Sequence, residues 1–258
     1  MTQSKAKTTP IALITGGSRG LGRSMALHLA DHGTDVIVTY RGGVKEADEV
    51  VADVQRRGQK AAALPLDVRD TKSFGAFAES VTARLRDTFG RERLDALVNN
   101  AGTGAHASFA ETTEAQFDDL VNVHLKATFF LTQKLLPLIA DGGRILNVSS
   151  GLARFTLPGY AAYASMKGAI EVLTRYMAKE LGPRKITVNV IAPGAIETDF
   201  GGGLVRDNRE INQMVASQIA LGRVGLPDDI GAAVATLLSS ESAWMTGQRI
   251  EVSGGQNL

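Results

Sequence analysis

Short apolar runs alternate with amphipathic stretches from one end of the chain to the other. Ile11 to Thr15 is a strand-like run, and Arg19 to His32 follows with Leu21, Met25 and Leu29 on one helical face before Gly33. Val36 to Tyr40 predicts a strand, Lys45 to Arg57 a helix stopped by Gly58, and Ala61 to Val68 another strand. Asp70 is placed to cap a helix running towards Phe89, and Leu94 to Asn99 returns to strand character. The second half repeats the theme. Thr113 to Leu136 predicts one long helix ending near Pro137, Arg144 to Ser149 a strand, Tyr160 to Leu181 a helix and Thr187 to Ala192 a strand. A glycine-rich irregular stretch around Gly201-Gly202-Gly203 comes next, then a helix over Asp228 to Leu238 and a last strand over Gln248 to Val252. The strand runs are continuously apolar rather than alternating, so both sheet faces should be covered. About seven strands separated by helices predict an α/β chain with a doubly wound parallel sheet and helices on both faces. No linker, low-complexity segment or short repeat interrupts it, so residues 1–258 are expected to form a single domain.

Composition narrows the chemistry. Charges are mixed, with a net of +1, and make neither a nucleic-acid footprint nor a membrane-binding patch. There is no cysteine, which excludes disulfides, thiolate nucleophiles and zinc–thiolate sites. Of the four histidines only His28 and His32 share a helical face, without accompanying carboxylates, so no metal is expected. Met1 to Pro10 is polar and carries no apolar signal core, and no run is long enough to span a membrane. A cytoplasmic protein is the expectation. Asn147-Val148-Ser149 matches a glycosylation sequon but sits within an apolar strand and reads as coincidence.

The first strand runs into Thr15-Gly16-Gly17-Ser18-Arg19-Gly20-Leu21-Gly22 and then a helix. Glycines there permit a sharp turn and let a pyrophosphate approach the free N–H groups of a helix N-terminus. A tight strand–helix turn with nothing bound is the alternative. Gly16 to Gly20 also fits the G-x-S-x-G hydrolase elbow, but no histidine follows His124 to complete a triad. Gly17 to Ser24 approaches a Walker A motif, with Arg23 in place of its lysine. About 20 residues beyond the glycines, where an acid would bond the ribose of NAD, the chain has Tyr40-Arg41. Arg41, with Arg19 as a second cation, suits a 2′-phosphate, so NADP(H) is the preferred cofactor and NAD(H) a possible one. Two solvated surface arginines are the plainer reading.

Tyr163 and Lys167 lie four residues apart near the start of a helix, hence on one face. An ammonium beside a phenol favours the phenolate and is expected to lower its pKa, making Tyr163 a proton donor or acceptor for a carbonyl–alcohol pair. Tyr160 and Tyr176 have no lysine at that spacing. The pair follows a strand ending at Ser149-Ser150, which places it on the sheet edge that also carries the glycine turn.

Together these motifs resemble the short-chain dehydrogenase/reductase family in its single-domain, Rossmann-type form. The resemblance covers essentially the whole chain and rests on the Thr15–Gly22 turn, Asn99-Asn100-Ala101-Gly102, Ser150, Tyr163-x3-Lys167 and Pro193-Gly194, with Ser150 thirteen residues before Tyr163. It implies that Ser150 bonds the substrate oxygen, Tyr163 is the acid or base, and Lys167 also bonds the nicotinamide ribose. Asn122 would be the helix asparagine that holds a relay water. Asp67 and Val68 would contact adenine. Asn100, Ala101 and Gly102 would line the cofactor cleft, and Pro193, Gly194, Ile196 and Thr198 would meet the carboxamide end.

The resemblance draws the substrate pocket from residues 103–109, 151–158 and 197–221, with the mainly apolar candidates His106, Phe109, Leu152, Phe155, Leu157 and Phe200. Closest in pattern are the 3-oxoacyl-carrier-protein reductases and related ketoreductases. The expected substrate is a small or medium ketone, aldehyde or alcohol. A carrier-bound substrate, met by Lys179, Arg184 and Lys185, is an alternative, as is a non-catalytic dinucleotide sensor. A homodimer or homotetramer, built on the two long helices and the last strand, is also implied.

Overall fold

A computed structural model describes residues 8–258. The polar start of the chain lies, up to residue 7, outside the described residues. Seven parallel strands form one sheet in the order β3-β2-β1-β4-β5-β6-β7. The strands are β1 (Ile11–Ile14), β2 (Asp35–Tyr40), β3 (Ala61–Pro65), β4 (Leu94–Asn99), β5 (Ile139–Val148), β6 (Thr187–Pro193) and β7 (Arg249–Val252). The order reverses between β1 and β4, so a crevice opens beyond the carboxyl ends of these two strands.

Helices cover both faces, as the continuous apolar strands require. One face packs α1 (Gly20–Asp31) and α2 (Val44–Arg56), through Met25, Leu29, Val50 and Val54, with a late helix that brings Ile230 and Val234. The other packs α3 (Phe74–Arg84), through Phe74, Phe77 and Val81. It is joined by Leu131 and Leu135 of the segment that precedes β5.

The long helix predicted over Thr113 to Leu136 is continuous but not uniform. It comprises α4 (Glu114–Leu120), a π-helical turn over Val121–Lys126, and α5 (Ala127–Leu135). Thr113 and Gln116 form a capping box at its start. In the wide turn the Ala127 N–H reaches back to the Asn122 carbonyl, five residues away. The strand expected from Arg144 begins earlier, at Ile139, and its pairing with β4 shifts register between Leu94 and Ala96. α6 (Ala161–Leu181) matches its predicted span. The glycine-rich stretch holds three successive left-handed glycines, Gly201, Gly202 and Gly203. Two short helices then appear that the apolar pattern did not announce, α7 (Leu204–Asp207) and α8 (Arg209–Ala216). α9 (Pro227–Leu237) is the late helix of the first face.

A buried polar row ties the centre of the sheet to the second helical layer. The Asn99 amide donates to the Asn147 oxygen and to the Thr132 hydroxyl, each at 2.9 Å, and the Asn147 amide donates to the Thr174 hydroxyl at 2.9 Å. Asn147 is fully buried, which leaves the sequon match inaccessible. Removing Asn147 orphans polar groups that water cannot reach. Asn147→Ala is therefore expected to cost about 2–4 kcal/mol in urea unfolding, and a loss below about 0.5 kcal/mol would contradict this account.

Candidate active site

The ends of β1 and β4 are held together by side chains. The Thr15 hydroxyl accepts from the Asn100 and Ala101 N–H groups at 3.0 and 2.9 Å. The Asn100 amide donates to the Thr15 and Gly16 carbonyls at 2.9 and 3.2 Å. Gly16 turns with a φ of 64° and lies against Ala101. At Gly22 a Cβ would overlap the Gly16 carbonyl and crowd the Asn100 amide, so only glycine fits there.

α1 begins directly from this turn. It has no side-chain cap at Arg19 and no acidic residue in its first turn, so its N–H groups remain free for an anion. Ser18 is half-buried in the turn, and Leu21 packs against the core from the first turn of the helix. Across the crevice Thr198 faces Gly20: a Cβ on Gly20 would lie 3.8 Å from its methyl group. Arg19 is exposed and pairs loosely with Asp199 at 3.8 Å. Tyr40 ends β2 and Arg41 follows it, exposed. Asp67 is exposed after β3, whereas Val68 is buried in the core. Pro193 ends β6 and Gly194 follows, close against Ser253 and Gln256. The Ile196 side chain packs against Gly225.

Ser150, Tyr163 and Lys167 come together at the end of β5 and the start of α6. Tyr163 and Lys167 are both buried, and the Lys167 ammonium lies 5.5 Å from the centre of the Tyr163 ring. It donates to the Val148 carbonyl at 2.7 Å. The expected lowering of the phenol pKa does not appear in this state. Burial pushes the Tyr163 phenol above its ordinary range, against a smaller opposing pull from the Ser150 hydroxyl. The same burial pushes Lys167 down to about 7. Desolvation therefore outweighs the charge–phenol attraction on which the sequence reading relied.

The helix residue seen in contact with Tyr163 is His124. Asn122 is half-buried, while His124, two positions on and so on a different side of the helix, is buried with its ring edge-on to Tyr163 at 5.4 Å. The sequence reading placed His124 only within the helix and gave it no role in the site. Its position at the wide turn was invisible to a regular helical period.

Aromatic rings continue outwards from Tyr163. Tyr160 lies 6.4 Å away and Phe200 5.5 Å away, and His106 stacks edge-on against Tyr160 at 5.1 Å. Phe200 rests on Gly104, where a Cβ would come within 2.7 Å of its ring. Leu152 packs near Tyr163, and Phe155 closes on Gly151. Phe109 and Leu157, by contrast, are 87% and 53% exposed. Lys179, Arg184 and Lys185 cannot rim this crevice. They sit at the far end of α6 and just beyond it, from about 24 Å past Tyr163 along its axis for Lys179 to roughly 30 Å for the other two, where Arg184 bonds Asp141 and the Leu136 and Ile139 carbonyls.

A charged chain beneath the site also escaped the sequence reading. The Ser149 hydroxyl donates to Glu171 at 2.7 Å, Arg249 bridges Glu171 and Glu251, and Arg154 clamps Glu251 and the Gln256 carbonyl. It fastens the Ser149–Ser150 segment to α6, β7 and the C-terminal residues.

The family described as enoyl-(acyl carrier protein) reductase matches residues 16–257. The chain is a short-chain dehydrogenase/reductase. Its relatives include the 3-oxoacyl-[acyl-carrier-protein] reductase FabG of Staphylococcus aureus, 38% identical over 98% of this chain and 100% of that protein. A hydroxynaphthalene reductase-like protein, Arp2, of Metarhizium brunneum is 36% identical over 95% of this chain and 94% of its own. Among solved structures, the promiscuous reductase LugOII, which catalyses keto-reduction at C1 during lugdunomycin biosynthesis, superposes with a TM-score of 0.92 at 39% identity, covering 98% of this chain and all of LugOII. The angucycline C-6 ketoreductase LanV, solved with bound NADP, superposes with a TM-score of 0.91 at 37% identity, covering 97% of this chain and 96% of LanV. The chain is thus an oxidoreductase acting on CH–OH groups with a nicotinamide cofactor. No helix among the described residues is long and apolar enough to cross a membrane.

Lys167 gives this reductase a testable pH signature. Its folded-state pKa of about 7 lies below the ordinary 10.5, so the unfolded chain binds the extra proton in between. Stability should therefore rise with pH from about 7 towards 10, relative to a Lys167→Met variant that lacks the group. Urea unfolding at several pH values measures the difference, and parallel pH curves for the two proteins would refute it.

Proposed function

We propose that this reductase uses NADP(H) to reduce a planar aromatic ring ketone, with Tyr163 giving the proton to the carbonyl oxygen. The row of rings His106, Tyr160, Tyr163 and Phe200 carries this reading, because flat aromatic walls favour a flat aromatic ligand. LugOII and LanV, whose described reactions are keto-reductions, support it by likeness.

The residues fit the cofactor. The uncapped start of α1, with Gly16, Ser18, Gly20 and Gly22, would hold the pyrophosphate, and Arg41 and Arg19 the 2′-phosphate. Asp67 would meet the adenine, while Asn100, Ala101, Gly102, Gly194, Ile196 and Thr198 would line the cleft. When bound, the nicotinamide supplies the hydride. Ser150 bonds the carbonyl oxygen as it gains charge, and the phenol O–H passes its proton to that oxygen. Burial keeps the phenol protonated at neutral pH, which suits the reductive direction. Lys167 places a cation beside the phenolate that remains. A carrier-bound substrate loses support with Lys179, Arg184 and Lys185 at the far end of α6. Exposed Phe117, Phe129, Phe130, Val172 and Tyr176 on α4 to α6 support assembly into dimers or tetramers.

Tyr163→Phe should lower kcat by about 10²–10⁴-fold while NADPH binding persists, and near-normal turnover by the folded variant would reject the mechanism. Arg41→Asp should reduce the preference for NADPH over NADH by about tenfold or more, and a wild type that prefers NADH would reject the cofactor reading. In a carbonyl panel, polycyclic aromatic ketones should be reduced with higher kcat/KM than acyl thioesters, free or carrier-bound. Phe200→Ala should narrow that gap. The reverse ranking in wild type would favour a carrier-type substrate.

A further inference from the structure

His124 occupies a position that no part of the proposed chemistry uses. It is only 2% exposed, lies in the π-helical turn between α4 and α5, and presents its ring edge-on to Tyr163 at 87°. One ring nitrogen, Nε2, is 2.8 Å from the Thr103 carbonyl oxygen. A carbonyl only accepts, so Nε2 carries the hydrogen and donates. The other nitrogen, Nδ1, is buried and has no partner among the described residues. Gly102 makes room for the ring: a Cβ there would come within 3.0 Å of Cε1. The cations that act on it are Lys167 of α6 and Arg69, which follows β3 and is itself paired with Asp119. Burial first, and then these cations, push His124 down to about 3 against the smaller opposing pull of the Thr103 carbonyl, so the imidazole is neutral. Nδ1 is then a bare acceptor.

We propose that His124 is a positioning residue of the Tyr163–Lys167 site, acting through both nitrogens of its ring. Through Nε2–H it ties the Gly102–Thr103 turn, which borders the cofactor cleft, to the helix. Its ring edge fixes the plane of the Tyr163 phenol. Nδ1 supplies an acceptor beside the acid–base pair. The wide turn is the backbone device that seats it there, and the Thr128 hydroxyl donates to the His124 carbonyl at 2.7 Å and steadies that turn. This role rests on the reading of Tyr163 as the proton donor.

Two substitutions separate the polar role from mere packing. His124→Phe keeps a ring against Tyr163 but removes the donor and the acceptor. His124→Asn loses the ring yet keeps one donor and one acceptor. Steady-state kinetics with NADPH and an aromatic ketone should show kcat lowered about 10- to 100-fold in His124→Phe, with the NADPH Kd within about threefold of wild type. His124→Asn should stay within about fivefold of wild type. The limb of the kcat/KM pH profile that reports the Tyr163–Lys167 pair should move in His124→Phe and not in His124→Asn. The reverse order of activities, equal activities, or an unmoved limb would overturn the proposal. Should His124→Phe not fold, His124→Met takes its place, since it too lacks both nitrogens. Tyr163→Phe, run alongside, keeps the two readings apart. Turnover by that variant rejects Tyr163 as donor, whereas an inactive Tyr163→Phe beside a fully active His124→Phe rejects only the role of His124.

Discussion

The hydrogen bonds between Thr15 and Asn100 are the constraint on which the rest of this site depends. They clamp the ends of β1 and β4, the two strands between which the sheet reverses direction. The glycine turn leaves from one clamp jaw and the Gly102–Thr103 turn from the other. Without them the crevice would have two independent loops for walls. With them, the start of α1 and the rings around Tyr163 share one rigid reference, and reacting groups gain most from being held in that way.

Burial, more than charge pairing, sets the protonation states inside the site. Tyr163, Lys167 and His124 are each shifted chiefly by desolvation, and each towards its neutral form. Three ionisable groups thus share a small dry volume without three charges having to be accommodated there. The fixed charges lie one layer further out, in the chain of Glu171, Arg249, Glu251 and Arg154, where they fasten segments together. Proton chemistry and mechanical support are divided between an inner layer, where Lys167 alone titrates near neutral pH, and an outer ionic one.

Most of the architecture was legible in the sequence because buried parallel strands need unbroken apolar runs, and every strand was found that way. The glycine turn and the Ser150, Tyr163, Lys167 set were legible because their spacing reflects strand ends and one helical turn. What escaped has physical reasons. The early start of β5 is hidden by Asp141-Gly142-Gly143, which reads as a loop but carries a register shift. α8 lies beyond a glycine run and has little buried surface, although Asn208, whose side chain accepts from the Ile211 N–H, was a readable cap. His124 went unnoticed beside Tyr163 because the helix was assumed regular, and a π-helical turn changes which residue faces inward. The direction of the Tyr163 shift was misjudged because burial depth is a tertiary quantity.

The glycine run behind Phe200 limits how this enzyme can be made more robust. Replacing glycine with alanine is a common way to stabilise a protein, because it reduces the freedom of the unfolded chain. Gly201, Gly202 and Gly203 all hold positive φ, and an added Cβ at Gly201 or Gly202 would meet only open space. The obstacle at those two positions is therefore purely one of handedness, and any L-residue with a side chain would be strained there whatever its size. Thermostabilisation has to be sought in the helical layers, leaving the segment that carries the aromatic cover as it is.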